Sequence, residues 1–598
     1  MKTGTAGFRV GAVISVAAML AVAVPTARAA PATPPAILAS GQETDSTMAS
    51  MERPRLVVVI PVDQLRPDYL DRFSPHFLPA RSASGVGGFR WLMEYGARYL
   101  DAHQDHLATE TGPGHAAILT GAFPYKHGII ANSWFDRAMG RERNCVEDPA
   151  SPQVGVQREI RGASPWALMT STLGDELKMA AGERAKVWSV SYKDRSAIFM
   201  GGHLADGVLW FDRSDGEWVT SRYYARDGKL PAFVTAWNER HLPNDHFGTK
   251  WELSIPEEAL PGLWPPGAGP GSGAVGLGGG FPHRLDGGGR EKEGHAPHSH
   301  EDPGEAFFSA FIASPFGNEH ILATAKQIIG TQRLGKDDVP DLIAVGLSTN
   351  DYTGHIFGPH SPEVADVTVR LDGQLADFFA FLDRTVDGGL DRVTVVLTAD
   401  HGVAPIIPSA VESGMPGGNY DVDAIQASVD AALDLAFGPR DWVLDIDASW
   451  IYLDHKAITD RRLDRGEVER AAAEAARKQP GIYEAWTRTM LEEGRLPRTD
   501  LGLRASRSFH PGRSGDVLLV EAPYWVGTWA RTGATHGSPY GYDTSVPLLI
   551  AGAGVRPGVY RERASTTDIA PTLAAILAIP APSGSEGGIL RCYAGATQ

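Results

Sequence analysis

The sequence predicts an α/β fold: a central, mostly parallel sheet flanked by helices and interrupted by insertion or cap subdomains. Three observations predict it. Arg55–Val62, Asp341–Leu347 and Val393–Thr398 are continuous runs dominated by apolar, often β-branched residues, the pattern of strands buried on both faces of a parallel sheet. Amphipathic stretches such as Glu363–Val386 lie between such runs and read as helices. Each run also ends on residues that can bind a ligand, and in open α/β sheets the ligand site lies beyond the carboxyl ends of the strands.

The N-terminus reads as an export signal over residues 1–29. Lys2 and Arg9 give a positive start, Val10 to Val24 an apolar core, and Ala27-Arg28-Ala29 a small-x-small cleavage site. That core falls short of the roughly 20 residues of a membrane span, so no membrane anchor and a periplasmic or secreted location are expected. Residues 30–52, rich in Pro, Ser, Thr and Ala, read as a disordered lead-in. One large domain, 53–598, then carries insertions at about 262–304 and 403–533. The first is a Gly/Pro tract with His283, His295, His298 and His300, read as a flexible surface loop rather than a metal site. The second, where the alternation of strand and ligand candidate stops, reads as a cap. The rhythm returns with a strand at Val546–Ala551 and a closing helix at Thr567–Leu577, whose Pro571 is tolerable in the first turn.

Composition narrows the function. The 598 residues are 43% apolar and 21% charged, with 68 Gly and 42 Pro, as in a loop-rich globular protein. A net charge of −17 argues against nucleic acid as partner; an anionic substrate requires cations in the site to dominate the local field. The only cysteines, Cys145 and Cys592, either form one bridge or stay as two thiols.

The stretch around which the rest is organised is His106-Leu-Ala-Thr-Glu-Thr111-Gly-Pro-Gly-His115. Thr111 precedes a Gly-Pro-Gly turn leading into a small-residue segment able to start a helix, where a hydroxyl meets unpaired N–H groups and the positive end of the dipole. It is a candidate nucleophile, although on this stretch alone a plain N-cap or turn residue is the commoner reading. Asp63 closes the first strand as a ligand or a helix cap. Asn132 is a neutral donor for a phosphoryl oxygen or a turn residue. Lys193-Asp194-Arg195, after the strand Ala185–Ser191, offers two cations as a fork for a dianionic phosphoryl group or lies on a solvated loop. Asp351 and His355 are spaced i, i+4, sharing one face if the segment is helical. Asp400-His401 and His536 complete the set. Three Asp, three His and a hydroxyl suit two zinc ions, and a metal pair roughly 4 Å apart is what in-line phosphoryl displacement uses.

Val62-Asp63-Gln64, Thr111-Gly-Pro-Gly-His115, Lys193-Asp-Arg195, Asp351-Tyr-Thr-Gly-His355, Ala399-Asp400-His401-Gly402, Thr535-His536-Gly537 and Thr566-Thr-Asp-Ile-Ala-Pro-Thr572 occur in the order seen in the alkaline phosphatase superfamily. From about Arg53 to Leu577 the chain resembles its exported bacterial alkaline phosphatases with a threonine nucleophile. The resemblance implies an alkaline-phosphatase-like fold, two zinc ions per chain and a covalent phosphothreonine intermediate. It places Asp63, Asp400 and His401 with the Thr111 oxygen on one zinc, and Asp351, His355 and His536 on the other. Asn132, Lys193 and Arg195 would bind the non-bridging oxygens. The Thr111 motif lacks the convertible Cys or Ser and the Arg of sulfatases, and Lys193-x-Arg195 favours monoesters over the diesters of the related nucleotide pyrophosphatases. The expectation is a monomeric monoesterase scavenging phosphate outside the cytoplasm. The alternatives are a phosphodiesterase with the same metals and a non-catalytic zinc or phosphate-binding protein.

Overall fold

The computed structural model describes residues 53–595 except 84, 261–276, 278–279, 288–302 and 529–532. The expected signal peptide and lead-in therefore lie outside the described residues, as does most of the Gly/His tract. Ten strands form one sheet, in the spatial order 558–565, 97–103, 548–552, 393–398, 56–61, 341–346, 187–191, 207–212, 217–221 and 153–154. Its middle is parallel: Leu56–Pro61 pairs with Asp341–Gly346 on one side and Val393–Thr398 on the other, and Asp341–Gly346 pairs in turn with Val187–Ser191. The expected late strand is present as Leu548–Gly552, but it runs antiparallel to Val393–Thr398.

Helices cover this middle, so its strands are apolar throughout rather than alternating. Val57, Val58, Val59 and Ile60 have no exposed surface, and neither do Leu342, Ile343, Ala344 and Val345 of the neighbouring strand. The amphipathic stretch forms the helix Pro362–Thr385, with Pro362 in its first turn and the Ser361 side chain accepting from Val364 N. Because the four central strands are parallel neighbours, their carboxyl ends lie side by side. Asp63, Asp351, Asp400 and Lys193 all follow those ends within a few residues.

The second insertion buries a hydrophobic core of its own. Strands Val443–Asp447, Trp450–Leu453, Val517–Glu521 and Ile482–Thr487 form a second, antiparallel sheet. Helices Val422–Phe437 and Arg465–Ala476 bury Ile425, Val429, Leu433, Val468 and Ala472 against it. One part of the first insertion departs from the sequence expectation of a flexible loop. His283 is completely buried, and His283–Arg284 pairs with Lys250–Trp251. The His283 Nδ1 is 2.7 Å from Leu277 O and its Nε2 3.0 Å from Glu363 Oε1, while Trp251 Nε1 donates to Asp366 Oδ2 at 2.7 Å. Carboxylates on the long helix thus anchor this segment, a long-range pairing invisible in a glycine-rich composition. Cys145 and Cys592 are both buried and unbridged. Among the described residues no helix is long and apolar enough to cross a membrane.

Candidate active site

Thr111 opens a ten-residue, fully buried helix, Thr111–Thr120, whose N-cap Glu110 is extended. Gly112-Pro113-Gly114 is therefore the first turn of the helix, not a turn before it, which sets Thr111 itself at the positive end of the dipole. Gly114 is required by close approach: a Cβ there would meet Asp400 O at 2.5 Å and Asp400 Cβ at 2.8 Å. The segment after the Asp341–Gly346 strand turns helically as Thr349–Phe357, and its i, i+4 pair converges, with His355 Nε2 3.2 Å from Asp351 Oδ1. Between them, a Cβ on Gly354 would overlap Gln64 Oε1 at 1.8 Å.

All seven metal-ligand candidates gather here. Asp63, Asp400 and His401 bring ligand atoms within 4.8 Å of one another, and Asp351, His401 and His536 do the same. His401 thus belongs to both groups, and its ring stacks on His536 with centroids 3.5 Å apart. His355 borders the second group, 3.2 Å from Asp351 Oδ1 through Nε2 and with its ring centroid 5.0 Å from that of His536. Lys193 Nζ sits at the centre, 2.7 Å from Asp63 Oδ2, 2.5 Å from Asp351 Oδ2 and 3.2 Å from Thr111 Oγ1.

Three buried carboxylates face one buried ammonium, and the imbalance marks the electrostatics. Burial, then Asp351 and Asp400, pushes the Asp63 carboxyl well above the usual range. Burial opposes the charge on Asp351 too, but His355 and Lys193 outweigh it and hold that carboxyl well below the usual range. For Lys193 burial is likewise outweighed, by Asp351 and Asp63, so the ammonium stays protonated. Burial lowers His401, and burial with His401 and His355 lowers His536 further, which leaves neutral imidazoles able to donate a lone pair.

The donor set fits divalent cations. Neither Asp63 oxygen takes part in a hydrogen bond, and neither does Asp400 Oδ2 or His401 Nε2, although all are buried. Lys193 is the one ammonium that Asp63 and Asp351 share, and a buried cluster of nitrogen and oxygen donors short of both hydrogen bonds and positive charge suits divalent cations.

Of the other two phosphoryl-binding candidates, Asn132 lies against the start of the Thr111 helix and Arg195 is two residues beyond Lys193. Asn132 Oδ1 accepts from Gly112 N at 2.8 Å, which turns the amide nitrogen away from the helix as a donor. Arg195 lies in the first turn of the helix Asp194–Gly201, with Lys193 as its N-cap; Arg195 Nη1 is 3.9 Å from Asp194 Oδ1. Three residues in the motifs had no assigned role. Gln64, held at φ 66°, donates from its backbone N to Asp400 Oδ1 at 3.1 Å and from Nε2 to Asp351 Oδ1 at 2.8 Å. His115 Nδ1 lies 3.0 Å from Thr111 O and 3.1 Å from Asp400 Oδ2. Glu110 Oε2 accepts from Asn132 N at 2.7 Å. Their neighbours in the motifs were the only available signal.

Comparison with known proteins finds relatives along most of the chain. The family model of type I phosphodiesterase / nucleotide pyrophosphatase matches residues 57–543. The alkaline phosphatase PhoV of Synechococcus elongatus is 34% identical over 541 residues, 90% of this chain and 93% of that protein. The alkaline phosphatase PafA of Elizabethkingia meningoseptica is 31% identical over 559 residues, 92% and 96% of the two chains. A crystal structure of wild-type PafA superposes with a TM-score of 0.78 at 30% identity, covering 91% of this chain and 99% of that one.

Proposed function

The chain belongs to the type I phosphodiesterase / nucleotide pyrophosphatase family of the alkaline phosphatase superfamily, and from that premise we propose that it hydrolyses phosphate monoesters as an alkaline phosphatase. The observation that carries the reading is the convergence of Lys193 Nζ on Thr111 Oγ1 at 3.2 Å, at the head of a buried helix and beside an orphaned acid and imidazole cluster. The PhoV and PafA relatives, alkaline phosphatases by name, support it.

Two zinc ions suit the donors: Asp63, Asp400 and His401 with the Thr111 oxygen for one, Asp351, His355 and His536 for the other. When bound they supply Lewis acidity, favouring the deprotonated nucleophile and offsetting charge on the leaving oxygen. Thr111 Oγ1 attacks phosphorus, forming an O–P bond as the bond to the alcohol breaks, and the alcohol leaves with a proton. The product of this step is a phosphothreonine. Water then attacks phosphorus, the Thr111 O–P bond breaks, and Thr111 regains its hydroxyl as phosphate departs. The helix end, the Asn132 amide, Lys193 and Arg195 stabilise the equatorial oxygens. A monoester carries more charge on those oxygens than a diester, so two cations in reach favour monoesters. His115 and Gln64 are positioning residues that hold the Asp400 and Asp351 carboxylates in place.

An N-terminal sequence of export character supports a role outside the cytoplasm, where such an enzyme releases phosphate for uptake. The test is hydrolysis of p-nitrophenyl monoester and bis-p-nitrophenyl diester at alkaline pH, with chelator and with zinc restored. A chelator-sensitive preference for the monoester is expected, together with a lower thermal midpoint in chelator that zinc reverses by mass action. Preference for the diester would reassign the chain to phosphodiesterase chemistry. Zinc-dependent stability without turnover of either would make it a binding protein.

A further inference from the structure

On the hairpin that follows Asn132, a cleft of about 350 Å³ is lined by residues that include Trp134, Asp136, Arg137, Arg143, Trp166 and Arg513. None of them belongs to the reaction centre. The cleft holds three guanidinium groups, unevenly matched by anions. Arg137 is satisfied: Nη1 donates to Leu453 O at 2.8 Å and Nη2 pairs with Asp516. Arg143 is not. It is 8% exposed, its Nη2 donates to Glu147 O at 2.8 Å, its Nη1 is 3.4 Å from Asp136 Oδ2, and its Nε has no hydrogen-bond partner. Asp136 is already engaged through Oδ1, which accepts from Ala138 N and Met139 N.

Arg513 is more exceptional. Its Nη1 donates to Gly128 O, and among the described residues no carboxylate lies within ion-pair distance of it. Burial, then Arg143, outweighs the opposing Asp136 and pushes the guanidinium down to about 10. Both stack on indoles: Arg143 over Trp166 at 4.5 Å and Arg513 over Trp134 at 5.0 Å. Stacking fixes the plane of each fork and leaves its N–H edges as donors. Trp166 is nevertheless 62% exposed, so an aromatic surface stays open at the mouth.

In a chain of net charge −17, a partly buried pair of arginines with surplus charge and an orphaned donor is costly unless an anion completes it. Planar, stacked guanidinium forks recognise tetrahedral oxyanions through paired N–H···O bonds. We propose that this cleft is a second anion-binding site, distinct from the Thr111 centre, that takes a phosphate group, either as free inorganic phosphate or as the terminal group of a small organic phosphate. Arg513 and Arg143 hold the oxyanion, and the exposed face of Trp166 contacts any organic part.

The test is calorimetric titration of the zinc-loaded full chain with inorganic phosphate. Wild-type protein is expected to bind one equivalent more than Arg513→Gln, with unchanged thermal midpoint, while Arg513→Lys retains that equivalent at weaker affinity. Equal stoichiometry in wild type and Arg513→Gln would overturn the proposal. Lys193→Ala/Arg195→Ala disables the reaction centre and is expected to keep the extra equivalent; its loss there would also overturn the proposal, by assigning the site to the reaction centre. In that background, phenylphosphonate binding more tightly than phosphate, with the gain removed by Trp166→Ala, identifies an organic phosphate. Equal affinities identify the free ion.

Discussion

Asp63 and Asp105 are both buried carboxylates on the same body, and their surroundings could hardly differ more. Asp105, 7% exposed, is ringed by cations: Arg563 Nη2 at 2.6 Å, Arg504 Nη2 at 3.2 Å and Arg507 Nη1 at 3.8 Å. Arg504 and Arg507 come from the helix Asp500–Ser508 of the second insertion, and Arg563 from the edge strand Gly558–Ser565. Asp63 shares one lysine with a second carboxylate, and its oxygens take part in no hydrogen bond. A carboxylate whose charge is satisfied by the chain is a latch. One whose charge is left over is a socket, its stability surrendered to a partner the chain does not encode. Burial alone does not separate the two; the accounting of partners does.

Disabling chemistry without touching either carboxylate gives the largest effect. Thr111→Ala removes a hydroxyl and a methyl at a helix start whose N-cap bonds do not involve the side chain. Monoester turnover should fall by roughly 10⁴-fold or more, while bound zinc, measured by elemental analysis, and the thermal midpoint stay near wild type. Activity near wild type in Thr111→Ala would remove the nucleophile from the scheme and with it the covalent intermediate.

Asp105→Asn probes the latch, and its effect moves from rate to stability. The substitution takes one carboxylate from Arg504, buried to 3% side-chain exposure, which keeps Asp500 Oδ2 at 2.9 Å and Gln104 O, so the cost falls below the roughly 3–5 kcal/mol of leaving a buried charge wholly unpaired. The exposed Arg563 contributes less. The expected outcome is a clear fall in the thermal midpoint with kcat/KM close to wild type. A loss of kcat without a loss of stability would mean that the second insertion's position, not its attachment, is what Asp105 controls.

The same contrast explains what the sequence could and could not reveal. The sheet's middle was legible because strands buried on both faces must be uniformly apolar, as Leu56–Pro61 and Val393–Thr398 are, and their exits mark the ligand side. Asp63, Asp351, Asp400 and Lys193 were legible for that reason. The roles of Gln64 and His115 were not: each acts through a contact with a residue remote in sequence, Asp400 in both cases. Nor was the packing of His283 against Glu363, since a histidine inside a glycine-rich tract carries no periodicity. The sharing of His401 between both ligand groups was equally invisible, because a one-dimensional motif assigns each ligand once. The antiparallel direction of Leu548–Gly552 was missed because an apolar run reads the same either way.

Asp447 differs from both carboxylates, because among the described residues it takes part in no ion pair. It ends the strand Val443–Asp447 of the second insertion, its Oδ2 has no hydrogen-bond partner, and burial, then Glu142 and Glu110, raises its carboxyl to about 7. The folded state therefore binds a proton here more tightly than the unfolded chain does. That contribution to stability is fully present below the unfolded value near 3.8 and is lost as the pH rises through about 7. Asp447→Asn carries no such proton, so it should be more stable than wild type above neutral pH, with the advantage shrinking as the solution is acidified. The gain should be the smallest of these effects, since the group is only partly shielded from solvent. Thermal midpoints of both proteins from mildly acidic to alkaline pH provide the check. Parallel curves would show that Asp447 is compensated at every pH, and that an orphaned oxygen outside the candidate ligand cluster does not by itself mark surplus charge.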